Sequence, residues 1–224
     1  MKYIFAYATI ISIWTTSKVF WRTKSTCLNP SDDFWDDISV FALLHHTSLL
    51  EPIFFAGFPL KFLLSEIKRV EIPGADITLE RPLFGFFYRA IFPRIKAITR
   101  KRDASWTDFK SGIRHDTLVV IAPEGRMMRT DGLDKNGKPM TVRAGIADII
   151  LSRDNGSLLL AYSKGLHHVF APGDIFPKLF RKIEISFEKI DIKQLKEELE
   201  CDKEGFHKRL VQYLEDKRQR YCYE

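Results

Sequence analysis

Apolar positions along this chain fall in short runs separated by longer mixed stretches, an alternation that predicts an α/β fold. The runs at 38–44, 60–64, 96–99, 117–122, 158–162 and 182–187 are of strand length and read as buried strands. Helical spacing occupies 52–58, 82–92, 104–113 and 144–152, with Pro52 and Pro82 near two starts, where the missing N–H costs nothing. Asp131-Gly132, Asn136-Gly137 and Lys138-Pro139 mark 130–142 as a polar loop. In the tail, 192–221, Leu195, Leu199, Phe206, Leu210, Tyr213 and Leu214 recur near the helical period and predict one or two amphipathic helices. The expected architecture is a single α/β domain with a mixed, largely parallel sheet flanked by helices, plus an N-terminal membrane-associated helix.

That first helix is unlike the rest. Residues 3–14 are nearly all apolar, broken only by Thr9 and Ser12, and Val19-Phe20-Trp21 prolongs the run past Lys18. Twelve residues make roughly 18 Å of helix, short of a hydrocarbon core of ~30 Å. Counting to Trp21 gives roughly 28 Å and requires Lys18 to snorkel. Lys2 precedes the run as in a signal peptide, yet no small-x-small cleavage site is well placed. The expectation is a retained anchor or interfacial helix, with Trp14, Lys18, Trp21, Arg22 and Lys24 at the headgroup boundary and the remainder on the cytoplasmic side. The turn-rich Asn29-Pro30-Ser31-Asp32-Asp33 then joins an anchor (1–29) to a main domain (30–190) and a helical tail (191–224).

Composition narrows the partners. In 224 residues, 45% are hydrophobic and 29% charged, which suits one folded domain rather than a disordered chain. A net charge of +6 favours anionic partners, and the apolar amino terminus points to lipid rather than nucleic acid. Several of the 18 Phe cluster, as in Phe54, Phe55 and Phe58, and are suited to a core or a lipid-facing groove. Cys27, Cys201 and Cys222 cannot all pair and show no zinc spacing, so a reducing compartment is the simplest reading.

Two segments carry chemistry. In Leu43-Leu44-His45-His46-Thr47-Ser48-Leu49-Leu50-Glu51-Pro52, a histidine precedes a carboxylate by five positions, directly after an apolar strand. Neutral imidazole takes a proton near neutral pH, and a carboxylate can fix its tautomer and favour the imidazolium. Five residues on one helix put the two on mismatched faces, so a dyad needs His46 in a loop and Glu51 at a helix start. The competing reading is a capping box over Ser48–Glu51, with Glu51 serving the backbone. The second segment, Pro123-Glu124-Gly125-Arg126-Met127-Met128-Arg129, follows a strand, where α/β sheets bind ligands. Gly125 permits close backbone approach, and Arg126 and Arg129 offer forked donors for a phosphate. A basic cluster (Arg94, Lys96, Arg100, Lys101, Arg102) includes Arg100 at the end of a short strand; Lys101, Arg102 and Arg114 read as solvated or membrane-facing.

Together and in this order, the segments resemble glycerophospholipid acyltransferases of the lysophosphatidate acyltransferase type. His46-x4-Glu51 matches that family's His-x4-Asp block, with Glu for Asp and His45 for the preceding Asn. Ala97-Ile98-Thr99-Arg100 matches its second block, and Ala122-Pro123-Glu124-Gly125-Arg126 its Phe-Pro-Glu-Gly-Thr-Arg block, with Arg126 at the threonine position. Arg143-Ala144-Gly145-Ile146-Ala147 resembles the basic helix start that follows. Leu158-Leu159-Leu160-Ala161-Tyr162 lacks the proline of the fourth block, and the likeness spans roughly residues 36–190.

The resemblance implies acyl transfer from acyl-CoA or an acyl carrier protein to a hydroxyl of a lysophospholipid-like acceptor. His46 and Glu51 would be catalytic. Arg100, Glu124, Gly125, Arg126 and Arg129 would form the acceptor site, with no metal and no cofactor beyond the thioester. Two rival readings are a lipid-binding scaffold that keeps the fold without turnover, and a metal-dependent hydrolase built from His45, His46, Glu51, Glu124, His167 and His168. Without the rival sites, His167 and His168 read as structural or surface residues. No His-Glu-x-x-His helix supports the metal reading.

Overall fold

The computed structural model describes residues 2–48, 50–99, 101–129, 131–171, 173–199 and 202–222. In chain order it contains α1 (Lys2–Phe20), β1 (Arg22–Cys27), β2 (Ile38–Leu44), a 3₁₀ helix (Glu51–Gly57), α2 (Leu60–Glu66), β3 (Val70–Ala75), α3 (Asp76–Leu79) and α4 (Pro82–Ile91). There follow β4 (Ile95–Ile98), α5 (Ala104–Ser111), β5 (Leu118–Ile121), α6 (Gly145–Leu151), β6 (Ser157–Lys164), a short 3₁₀ turn (Leu166–His168), β7 (Lys182–Asp191), α7 (Ile192–Glu198) and α8 (Lys203–Cys222).

One seven-stranded sheet, ordered β1-β7-β6-β2-β5-β3-β4, organises the molecule. Five strands, β6, β2, β5, β3 and β4, run parallel, while β7 reverses against β6 and β1 pairs parallel with β7. The sheet is therefore mixed and largely parallel. Central β2 is buried along nearly its whole length, as its unbroken Ile38–Leu44 sequence requires of a strand covered on both faces.

Two cores lie on the two faces. Val40, Ala42, Leu44, Val119, Leu158 and Leu160 pack under α5, α6 and α8, where Phe206, Leu210 and Leu214 are buried. Leu43, Leu159, Ala161, Ile183, Ile185 and Phe187 pack against the 3₁₀ helix and α2, through Phe54, Phe58 and Phe62. Helix α1 lies outside this second layer, burying Ala6 and Ile10 against Ile67 and Ile91.

Most predicted elements form where the pattern placed them, with three corrections. Residues 60–64 form helix α2, not a strand: Phe62 is buried, Leu63 and Leu64 pack partly buried against the core, and the run has no sheet neighbour. Strands β1 and β3 escaped the pattern. The polar Arg22-Thr23-Lys24-Ser25-Thr26-Cys27 is an edge strand, and β3 carries Pro73-Gly74, which ordinarily demotes a strand. Finally, α1 spans 19 residues, yet among the described residues no helix is long and apolar enough to cross a membrane.

Candidate active site

The polypeptide leaves β2 at the carboxyl edge of the parallel strands and turns sharply at His45, whose φ is +70°. Histidine, asparagine and aspartate are the residues that best tolerate this left-handed conformation, so His45 fits the place where the resembling family has asparagine. The turn is fastened from several directions. The His45 N–H donates to Glu124 Oε1 (2.9 Å) and the His46 N–H to Glu124 Oε2 (2.7 Å). His45 Nδ1 lies 2.8 Å from the Ser163 carbonyl, and Ser163 Oγ donates back to the His45 carbonyl (2.8 Å). The Met128 N–H donates to the His46 carbonyl at 2.8 Å. A strained turn persists only where its surroundings overdetermine it, which these contacts do.

Past the turn, His46 Nδ1 meets the Glu51 carboxylate in a hydrogen bond, and both side chains are mostly buried. Glu51 opens the 3₁₀ helix with Pro52 beside it; the N-cap residue is Leu50, which makes no side-chain cap. Ser48 Oγ accepts instead from the Leu50 N–H (3.1 Å), so the capping box does not form and Glu51 is committed to the imidazole. Burial by itself pushes the His46 pKa down. The charge and hydrogen bond of Glu51, with a further contribution from Glu124, outweigh it, and the net shift is upward. With Nδ1 held by Glu51, Nε2 is the atom left for a substrate.

That imidazole lines a cavity of about 520 Å³ at the sheet edge. One side of it is apolar, walled by Phe41, Phe54, Phe58, Val120 and Ile185; the other carries Lys101, Arg102 and Arg143 beside Trp106 and Gly145. Tyr88, also in the wall, has its phenol pushed up by burial and then by the Glu51 charge.

The residues singled out from sequence separate into groups. His46, Glu51 and Gly125 line the cavity. Gly125 adopts φ +62° and spends its N–H on the Ala122 carbonyl (3.0 Å), closing the turn that presents the segment to His46. Glu124 sits behind the wall, 1% exposed, and its work is to hold the amides of His45 and His46. Arg126 is bound to Asp134, a buried carboxylate that also accepts from the Asn136 and Lys138 amides, so it braces the 130–142 loop. Arg129 is solvent-exposed, and among the described residues neither it nor Arg126 lines the cavity. Arg100 lies outside the described residues.

One supporting residue of the site does not stand out in the sequence. Arg218, on α8, reaches Glu124 Oε1 at 3.3 Å while bonded to Glu215 Oε2 (2.7 Å) and the Met140 carbonyl (2.8 Å), so the C-terminal helix supports the His46 turn at one remove. Its signal was present: Phe206, Leu210, Leu214, Arg218 and Cys222 recur every fourth residue, and one charged member of a buried stripe demands a partner. Lys101 and Arg102, which the sequence places at a solvated or membrane-facing surface, are exposed and also line the cavity, Arg102 held there by Asp148 (3.2 Å) and the Ala144 carbonyl (3.3 Å). Asp148 is the hub of that side, accepting from Trp106 Nε1 (2.9 Å) and paired with His207 Nε2 (2.8 Å). Among the described residues no group of three His, Cys, Asp or Glu side chains is placed to hold a metal ion.

The seven-stranded mixed sheet flanked by helices is similar in fold to solved structures. One structure that the chain matches is the 1-acyl-sn-glycerophosphate (LPA) acyltransferase PlsC from Thermotoga maritima, with a TM-score of 0.55 over 94% of this chain and 77% of that one. The two are 14% identical, so the likeness is one of fold. No family model and no curated protein matches the sequence.

Proposed function

We propose that this chain is a membrane-associated O-acyltransferase that moves a fatty acyl group from a thioester, acyl-CoA or acyl carrier protein, to a hydroxyl of a lysophospholipid-like acceptor. The observation that carries the proposal is the His46–Glu51 pair opening onto a cavity that is apolar on one side and cationic on the other. A cavity of about 520 Å³ falls within the range of small-molecule sites, and its aromatic wall suits an acyl chain better than a polar donor.

In this mechanism Nε2 of His46 removes the proton from the acceptor hydroxyl while Glu51 holds Nδ1 and stabilises the imidazolium. The oxygen attacks the thioester carbonyl carbon directly. Collapse of the tetrahedral species breaks the C–S bond, and the leaving thiolate recovers the proton from His46. Lys101, Arg102 and Arg143 supply positive charge for an acceptor or donor phosphate. The clamp of Glu124 on the His45 and His46 amides keeps the base in place, a positioning role that fits the value of small displacements in catalysis. The acyltransferase fold of the Thermotoga protein supports the same reading.

The direct test incubates purified protein with a panel of lysolipids and both donor classes, and reads products by mass spectrometry. An acylated lysolipid that His46→Ala does not make is the expected result. A rival reading, a lipid-binding scaffold on the same fold, is favoured by one observation, the diversion of Arg126 to Asp134. It predicts lysolipid binding with no donor consumed.

A further inference from the structure

Part of the molecule's apolar exposure lies where the chain returns to the sheet edge before β7. Between 173 and 181, Ile175 (83% exposed), Phe176 (79%), Phe180 (62%) and Leu179 all face solvent. Next to them, at the end of α1, Val19 and Phe20 are exposed as well. The two segments are joined: the Phe180 N–H donates to the Phe20 carbonyl (2.7 Å), Trp21 Nε1 donates to the Lys178 carbonyl (3.0 Å), and the Phe20 and Phe180 rings meet at 6.3 Å. Six large exposed apolar side chains thus sit on two segments joined to each other, a grouping of the kind that marks an interaction site.

The exposure is built in. Asp174 Oδ2 accepts from the Ala171 N–H (2.9 Å), the Asp174 N–H returns to the Ala171 carbonyl (3.0 Å), and the Lys178 N–H donates to the carbonyl of fully buried Val169 (2.8 Å). The base of the segment is therefore tied to the core while Ile175 and Phe176 project. Phe180 takes φ +59°, a conformation that costs a bulky residue energy, and is held there by α1.

Charge and position identify the occupant. Lys18, Arg22, Lys24, Lys178, Arg181 and Lys182 lie in the same two stretches, where the carboxylates are Asp174, paired with Lys178 (3.4 Å), and Glu184, paired with Lys182. Apolar tips ringed by basic residues, with an indole between them, match the interface of a bilayer bearing anionic lipid. The patch also stands at the correct edge. Lys182 opens β7 beside Arg22, and β7 pairs there with the end of β6, whose Ser163 holds His45.

We infer that residues 173–181, seated on the end of α1, are a membrane-inserting wedge that holds the cavity edge against an anionic lipid leaflet. The inference deepens the acyltransfer reading and rests on it for the direction from which a lipid acceptor arrives, while its test needs no turnover. Full-length protein is sedimented with sucrose-loaded vesicles of phosphatidylcholine alone or with phosphatidylglycerol. Variants are Ile175→Ser/Phe176→Ser and Lys178→Gln/Arg181→Gln, with unchanged thermal melting as the control for folding.

The expected results are binding that strengthens with phosphatidylglycerol, at least about tenfold weaker binding of the serine variant to both vesicle types, and a loss in the glutamine variant confined to anionic vesicles. Thioester turnover with a soluble, short-chain acceptor should be unchanged in both. Serine-variant binding equal to wild type, or no vesicle binding by the wild type, overturns the inference. So does a dimer that the serine variant dissolves, because a second copy would then cover the patch. Vesicle binding without acyl transfer by wild type keeps the wedge and removes the enzyme reading; acyl transfer without vesicle binding does the reverse.

Discussion

The two sides of the cavity are built to different standards. On the imidazole side the N–H and carbonyl groups of both His45 and His46 have partners, and Glu124 (1% exposed) and Arg218 stand behind them, both buried. On the cationic side Arg102 is more than half exposed, shares Asp148 with Lys110 (3.7 Å) and His207, and is bonded to one carbonyl. A proton acceptor must sit within tenths of an ångström of its target, whereas a phosphate tolerates several arrangements of solvated positive charge. The difference fits an exacting imidazole set beside a cationic wall that manages without Arg126, which is turned away to Asp134.

Substitutions can break this contrast from either side. The largest effect belongs to His46→Ala, where loss of a general base should lower turnover by ~10²–10⁴-fold with no change in the melting transition. Arg218→Met comes next. It leaves the buried Glu124 without its cation, and losing one partner of a buried pair costs about 3 kcal/mol of folding stability. Urea unfolding would measure that loss, and the kcat of the folded fraction should fall because the His46 turn loosens; an unchanged midpoint would show that α8 does not support the site. On the cationic side, Arg102→Gln should raise the acceptor KM by roughly fivefold and leave kcat nearly alone, the signature of uniform binding by a partly exposed charge. A collapse of kcat there would mean that the two sides are equally exacting.

What was legible in the sequence follows the same divide. The His46–Glu51 pair could be read because it closes within one loop, between a continuous apolar strand and a proline-marked helix start. Strand β2 and helices α4, α5, α6 and α8 followed from their periods. Long-range partners could not be read. Arg218 lies 94 residues from Glu124, and nothing local distinguishes it from the solvated arginines around it except its place on a buried stripe. Arg126 illustrates the converse case: a guanidinium beside a glycine invites a phosphate reading, and the fold adds a partner 8 residues on, Asp134 of the polar loop. Leu60–Glu66 and β1 show composition overridden by tertiary context, since an apolar run became a helix on the layer and a polar run became an edge strand.

The central claim is that the carboxylate of Glu51 holds a basic imidazole at His46, and the pH dependence of kcat/KM for wild type and Glu51→Gln tests it most directly. The base must be neutral to accept a proton, so activity is lost as pH falls through its pKa. In the wild type the acid limb should lie above the ordinary histidine value of ~6.5, because the pull of Glu51 exceeds the opposing effect of burial. Removing that charge leaves burial unopposed by its main counterweight, so in Glu51→Gln the limb should move to lower pH while the plateau rate drops. A limb that stays where it was, or a profile with no acid limb at all, would contradict the account.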